Sequence, residues 1–163
     1  MILGMSLAIF TDVHVAISLI GIVTGLLVLF GMMAGRWLAK LNGAFLLSTI
    51  LTSVTGFMFP FTALGPPHIV GGISLVVLAI ALLAVYRFRL AGKSRWVYVV
   101  SAILALYLNV FVAVVQIFLK IPYFNALAPT QAETPFQVAQ SVVLAAFIVM
   151  AIVAVRTFHP KLA

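Results

Sequence analysis

Residues 13–40 read VHVAISLIGIVTGLLVLFGMMAGRWLAK, an uncharged apolar run that ends in a short basic segment. The uncharged part, residues 13–35, is longer than the roughly 20 residues that a helix needs to cross about 30 Å of hydrocarbon. Arg36 and Lys40 follow it directly, and basic residues in this position are typical of the cytoplasmic side of a membrane. The stretch therefore predicts a transmembrane helix whose C-terminal end faces the cytoplasm.

The same pattern of an apolar run bounded by turn residues recurs along the chain. Proline is unfavourable inside helices, so Pro60, Pro66, Pro122 and Pro135 are interpreted as boundaries. The predicted crossings are residues 13–35, 42–61, 68–86, 96–119 and 136–155. We therefore predict an all-α integral membrane protein, in which residues 1–163 form a single membrane domain with five transmembrane helices in one bundle.

Composition supports a membrane protein and argues against nucleic acid as a partner. The chain is 66% hydrophobic and 7% charged, which is too little polar surface to cover a water-soluble globule of this size. Its net charge is +7, but the basic residues flank the predicted crossings, where they attract anionic lipid headgroups. We thus expect membrane lipids as partners. The chain has no cysteine, which excludes disulfides, thiolate nucleophiles and cysteine-ligated metals.

The basic residues are divided unequally between the two sides of this topology. Lys120 falls on the same side as the two carboxylates, Asp12 and Glu133. Because the side richer in Lys and Arg is cytoplasmic, we predict an external N-terminus and a cytoplasmic C-terminus, in a plasma membrane of the bacterial inner-membrane type. The basic residues assigned to the cytoplasmic side are Arg36, Lys40, Arg87, Arg89, Lys93, Arg95, Arg156 and Lys161.

Residues 1–10 are apolar, but no basic region precedes them, so a secretory signal peptide is not predicted. A single helix over residues 1–35 would be about 52 Å long at ~1.5 Å per residue, which is too long for a bilayer without strong tilt. We expect the chain to break near Thr11 and Asp12, where either side chain can cap the following helix.

Unusual polar residues concentrate in the outer half of the predicted bundle, whereas the inner half is expected to be apolar apart from hydroxyl groups. Asn109, Gln116 and Lys120 share one face of the fourth helix, and Gln137 and Gln140 lie in the first turns of the fifth. An amide in hydrocarbon without a partner costs several kcal/mol, so Asn109 and Gln116 should face neighbouring helices. We predict that these five residues line an outward-facing polar pocket. The alternative is that they fasten helices together, with the hydroxyl groups of the second helix as partners.

His14 and His68 begin two parallel predicted helices and should therefore lie at similar depth. Two facing neutral imidazoles can hold haem b between them. With Asp12 or Glu133 added, they would form a two-histidine, one-carboxylate set for a divalent metal. The patterns HxxxH, HExxH and CxxCH are absent, so a hydrogen-bonded structural role for each histidine remains an alternative.

Catalytic motifs do not point to an enzyme that acts alone. The sequence has no GxSxG elbow, P-loop or dinucleotide fingerprint, and only two carboxylates. Three functions stay open. The first is haem or metal binding that serves membrane electron transfer, and the second is a non-catalytic accessory or assembly subunit that associates with other membrane subunits or a second copy. The third is a carrier of a small polar or lipidic solute.

Overall fold

The computed structural model describes residues 2–60 and 65–160, and these form a bundle of helices. Four of the helices are long and apolar enough to cross a membrane: α1, α3 together with its π-helical turn, α4 and α6. The prediction of an all-α, membrane-type chain is confirmed at that level. The elements are α1 (Leu7–Met33), α2 (Ala39–Gly56), α3 (Pro66–Leu82, continued by a π-helical turn over Leu83–Arg87), α4 (Lys93–Lys120), the short α5 (Pro122–Leu127) and α6 (Thr134–Thr157).

The remaining predicted crossing corresponds to α2, which is rich in hydroxyl side chains and packs closely against α1. Near its start, Asn42 bonds to Tyr98 in the first turns of α4. Near its end, Thr55 bonds to His14 in the second turn of α1. Along α1, His14 meets Thr55, Gly21 faces Thr49 and Gly25 faces Phe45, so α2 runs antiparallel to α1.

One end of the bundle collects most of the positive charge. There the rings of Trp37, Tyr98 and Phe158 pack together, and Arg95 donates from Nη1 to the Phe158 carbonyl oxygen over 2.6 Å. Thr157 Oγ1 lies 3.0 Å from the Met32 carbonyl oxygen, which joins the last turns of α1 and α6. We call this the basic end, defined by Arg36, Lys40, Arg87, Arg89, Lys93, Arg95 and Arg156; Lys161 lies outside the described residues.

The opposite end is the histidine end, defined by His14, His68, Lys120 and Glu133. It contains the starts of α1, α3 and α6 and the ends of α2 and α4. In the folded chain, the basic residues of the basic end are thus separated from Lys120 and Glu133, as predicted when loops were assigned to alternate sides of the membrane.

The start of α1 differs from the prediction. Ser6 is the N-cap, and its hydroxyl accepts a hydrogen bond from the Ile9 N–H over 3.3 Å. Thr11 lies inside the helix, where its hydroxyl donates to the Leu7 carbonyl oxygen over 2.8 Å. The predicted break at Thr11 and Asp12 is wrong, because α1 already begins more than one turn earlier, at the cap that Ser6 provides.

Small residues bring α1 close to its neighbours. A Cβ atom on Gly25 would lie 2.6 Å from Leu106 Cδ1 and 2.8 Å from the Phe45 ring. On Gly21 it would lie 3.2 Å from Asn109 Nδ2 and 3.3 Å from Thr49 Oγ1. The GxxxG spacing therefore marks the face on which α1 contacts both α2 and α4.

Candidate functional site

His14 is half-buried at the histidine end, with its ring edge-on to Phe59 at a centroid distance of 5.1 Å. Its Nδ1 atom lies 2.7 Å from Thr55 Oγ1. The Thr55 hydroxyl has one proton and also lies 2.7 Å from the Leu51 carbonyl oxygen, which can only accept. We assign that proton to the bond with Leu51. His14 then donates from Nδ1, and its Nε2 atom carries the lone pair.

His68 has the opposite tautomer. The Gly65 N–H donates to His68 Nδ1 over 3.3 Å, so the neutral ring carries its proton on Nε2. The bond caps the first turn of α3, and the ring lies against Phe57 at a centroid distance of 5.8 Å. A ligand histidine needs an unprotonated ring nitrogen. The geometry favours ligation at His14 and a helix-capping role at His68.

The two carboxylates, Asp12 and Glu133, are not grouped with the two histidines. Asp12 is exposed on α1, and Glu133 is the N-cap residue of α6. Glu133 Oε1 accepts hydrogen bonds from the Thr130 hydroxyl over 2.8 Å and from the Thr130 N–H over 3.3 Å. The hydroxyl bond holds the pKa of Glu133 below its ordinary value. Within residues 2–60 and 65–160, no three His, Cys, Asp or Glu side chains are grouped so that they could hold a metal ion. The predicted two-histidine, one-carboxylate set is thus not assembled there.

The predicted pocket-lining residues separate into packed and exposed ones. Asn109 packs against Gly21, and its Nδ2 atom is buried without a hydrogen-bond partner. Gln140 is buried and donates from Nε2 to the Phe111 carbonyl oxygen over 3.2 Å. The expectation that Asn109 faces a neighbouring helix is confirmed, but the same expectation for Gln116 is wrong, since Gln116 is exposed. Lys120 and Gln137 are exposed as well.

Several polar side chains at this end join two different segments. These bonds tie α1 to α2, α2 to α3, α6 to α4, and the α5–α6 loop to α4. The pairs are His14 with Thr55 at 2.7 Å, Ser53 with Ser74 at 3.1 Å, Gln140 with the Phe111 carbonyl at 3.2 Å and Gln131 with the Val115 carbonyl at 3.1 Å.

The other hydroxyl groups of α2 serve its own backbone. Thr49 and Thr52 donate to the carbonyl oxygens four residues earlier, over 2.8 Å and 2.9 Å. This is the usual way for a hydroxyl to be satisfied inside an apolar helix. The hydroxyl-rich stretch therefore helps α2 to be buried in the bundle.

One buried polar pair lies at the basic end, where an apolar interior had been expected. Tyr98 and Asn42 are 0% and 1% exposed, and the Tyr98 hydroxyl donates to Asn42 Oδ1. Asn42 Nδ2 is buried without a partner. In the sequence, Asn42 stands at the start of a predicted crossing and was interpreted as a boundary residue. An amide and a tyrosine inside two apolar runs are uncommon, and this was the sequence feature that could have indicated a buried polar pair.

The sequence matches no protein-family model, and neither the curated proteins nor the solved structures include a significant match. The function of the histidine end must therefore be inferred from its own contacts. Most of those contacts are hydrogen bonds between helices. In addition, the Nε2 atom of His14 carries a lone pair that can bind a metal or haem iron.

Proposed function

We propose that this protein is a non-catalytic subunit of a membrane complex, with five crossings and a histidine end that holds the helices together. One observation carries the proposal: polar side chains at that end are bonded across helix pairs, as at His14–Thr55 and Ser53–Ser74. Interhelical hydrogen bonds of this type stabilise the association of transmembrane helices. In a solute-binding site, polar side chains such as these would be directed toward the solute rather than bonded to neighbouring helices.

The antiparallel course of α2 supports the fifth crossing. Its span over Ala39–Gly56 corresponds to about 27 Å at ~1.5 Å per residue, close to the ~30 Å of hydrocarbon in a bilayer. The positive-inside rule supports an orientation in which the basic end faces the cytoplasm, so that the N-terminus is external. A bacterial plasma membrane is the proposed location.

The proposed contact with other subunits is α6. This helix packs on α1 and α4 with one side only, and it is the least buried of the four long apolar helices. Its opposite side exposes residues at alternating spacings of four and three, which is the spacing of left-handed helix pairs. They are Val138, Val142, Ala145, Val149 and Ile152. The proposed occupant of this face is a transmembrane helix from another subunit or from a second copy of the chain.

Single cysteines can test this contact, because the chain has none of its own. We expect Ala145→Cys and Val149→Cys to form cross-linked products in native membranes when each cysteine carries a benzophenone maleimide, which on illumination captures a neighbouring chain whether or not that chain has a thiol. Val76→Cys is the control, since Val76 is 63% exposed but belongs to α3. If neither α6 variant is cross-linked, or if the control is cross-linked equally, α6 is not the contact.

Haem b binding is the second candidate, and the tautomer of His14 is the observation that favours it. With Nδ1 donating to Thr55, Nε2 is ready to bind iron. Ligation by His68 Nε2 would require its proton to move to Nδ1, which could then no longer accept the hydrogen bond from the Gly65 N–H. Absorption spectra of the purified protein, oxidised and reduced, distinguish the two candidates.

If haem is bound, His14→Ala and His68→Ala should each abolish the Soret band, while the exposed His159→Ala should retain it. A protein that is purified from haem-replete cells and has no Soret band would eliminate this candidate and leave the subunit proposal in place.

A further inference from the structure

Two shallow grooves lie at the basic end, on either side of one ridge of α4. The first has a volume of about 450 Å³ and runs between the π-helical turn and α4, with Leu83 and Phe88 among its apolar walls. The second has a volume of about 570 Å³ and is bounded by Gly92 and Trp96. Lys93 and Val97 line both grooves. They form the ridge, with the charged residue at its end and the apolar residue one turn further into the helix.

Several exposed basic residues stand close to this ridge in the chain, and no carboxylate does. Lys93, Arg87 and Arg89 are all exposed. The only acidic residues of the chain, Asp12 and Glu133, belong to the histidine end. An anion that reaches the ridge therefore meets several cations and no competing acidic side chain.

The turn before α4 holds these groups in a defined arrangement. Arg89 and Leu90 have positive φ angles of 48° and 56°, which non-glycine residues seldom adopt. The Leu90 side chain is buried and anchors the turn, while Arg89 is directed outward. Gly92, the N-cap of α4, has no side chain to bond the free N–H groups of the first turn, which adds partial positive charge beside Lys93.

We propose that the Lys93–Val97 ridge binds one anionic diacyl phospholipid. Its phosphate lies at Lys93 and the neighbouring arginines, and one acyl chain lies in each groove. A zwitterionic lipid would fill the grooves equally well but would leave the positive charge uncompensated. A free phosphate ion would satisfy the charge but leave the apolar grooves open. Basic pockets between transmembrane helices commonly bind anionic headgroups in this way. The inference concerns the basic end and does not depend on the function of the histidine end.

Trp96 lies in the second groove and can report on an acyl chain there. Trp37→Phe removes the only other tryptophan. In that background, phosphatidylglycerol with brominated acyl chains should quench Trp96 at a several-fold lower mole fraction than brominated phosphatidylcholine. Equal quenching by the two lipids would overturn the proposal, and so would complete competition by millimolar inorganic phosphate, because the site would then recognise the anion alone.

A pair of variants separates a specific site from general surface charge. Lys93→Gln should reduce the preference for phosphatidylglycerol about fivefold. Lys40→Gln removes the same charge at the same end, but Lys40 lies at the start of α2 and lines neither groove; it should change the preference little. An equal loss in the two variants would contradict the ridge as the site.

A third variant keeps all charges. Ala91 is exposed and lines the first groove. Because one lipid is proposed to occupy both grooves, Ala91→Leu should exclude one of its acyl chains, weaken binding of the whole lipid and so reduce the quenching of Trp96 in the second groove by phosphatidylglycerol. Its unfolding temperature should remain that of the parent, which shows that the fold is retained. Unchanged quenching would mean that the groove holds no lipid.

Discussion

Gly25 lies where α1 approaches both α2 and α4 closely. The atoms nearest to a Cβ there belong to Leu106 and Phe45, each only 1% exposed. Both side chains are therefore packed in the core, where a shift meets other buried side chains. Because Gly25 has no side chain, three helices can share one core at this point.

We predict that Gly25→Ala destabilises the protein. Overpacking of a core costs about 1–3 kcal/mol, which exceeds the gain of at most ~1 kcal/mol when alanine replaces glycine in a helix. Gly43→Ala is the matched control, because a Cβ atom there would meet no atom within 4 Å. Thermal unfolding in detergent micelles should show a lower midpoint for the first variant and an equal or higher one for the second. Equal shifts would contradict the close approach.

Tyr98 and Asn42 lead to a second prediction. Tyr98→Phe removes the donor to Asn42 Oδ1 and leaves both polar atoms of this buried amide without partners. The free energy of unfolding should fall by about 1–3 kcal/mol. Adding Asn42→Leu to Tyr98→Phe should restore part of that loss, since the unsatisfied amide is then gone.

Tyr107→Phe serves as the control for this pair. Tyr107 is on the same helix and half-buried, but it does not bond Asn42. If the effects of Tyr98→Phe and Asn42→Leu simply add in the double variant, the two residues do not interact energetically.

At the scale of elements, the start of α6 depends on Glu133 and Thr130. The Thr130 hydroxyl lowers the pKa of Glu133 by bonding the ionised carboxylate. A lowered pKa stabilises the fold at pH values above the unfolded-state pKa of about 4.3. That contribution is lost as the pH falls through the folded-state pKa.

Thr130→Ala should therefore raise the pKa of Glu133 toward its ordinary value. Glu133 is the only glutamate in the chain, so protein labelled with ¹³C at the glutamate carboxyl carbon gives a single resonance to titrate. Thr134→Ala removes a hydroxyl that does not contribute to the Glu133 pKa, and it should leave the titration unchanged. A pKa that does not rise in Thr130→Ala would assign the effect to the backbone instead.

At the scale of the whole molecule, the number of crossings determines which loops share a side. With α2 crossing the membrane, reporters inserted after Gly35 and after Ala91 should both be cytoplasmic, and one inserted after Pro129 should be external. A fusion after Ala163 should be cytoplasmic. These expectations follow from the accumulation of basic residues at one end of the bundle.

The reporter assay distinguishes five crossings from four without reference to orientation. If α2 does not cross, the reporters after Gly35 and Ala91 must lie on opposite sides, because only α3 with its π-helical turn would then separate them. If all reporters are inverted but their pattern is kept, the five crossings stand and the assigned orientation is wrong.

The helices that the sequence predicts agree with the structure better than the turns and caps that connect them. The long helices were predictable because apolar runs and prolines are local signals, and the boundaries differ from prediction by a few residues. The start of α1 was placed too late because the expected helix length was limited to the thickness of a bilayer, although Ser6 also stands directly before an apolar run. The π-helical turn and α5 were not predicted, since each depends on how the chain leaves one helix and packs on the next. At the candidate site, His14 could be named as a candidate ligand from the sequence, but its tautomer depends on Thr55, 41 residues away in the chain.

The helical, membrane-type character of the chain and the accumulation of positive charge at one end can be derived from the order of its amino acids. Hydrophobic length and the positions of charges along the chain carry that information locally. Which polar groups meet depends on the packing of the helices in three dimensions. This packing paired Tyr98 with Asn42 and left Gln116 exposed although it shares a helix face with the packed Asn109. The physical reason is that a hydrogen bond requires two groups within about 3 Å, and such a distance between helices is set by the packing of small residues such as Gly21 and Gly25.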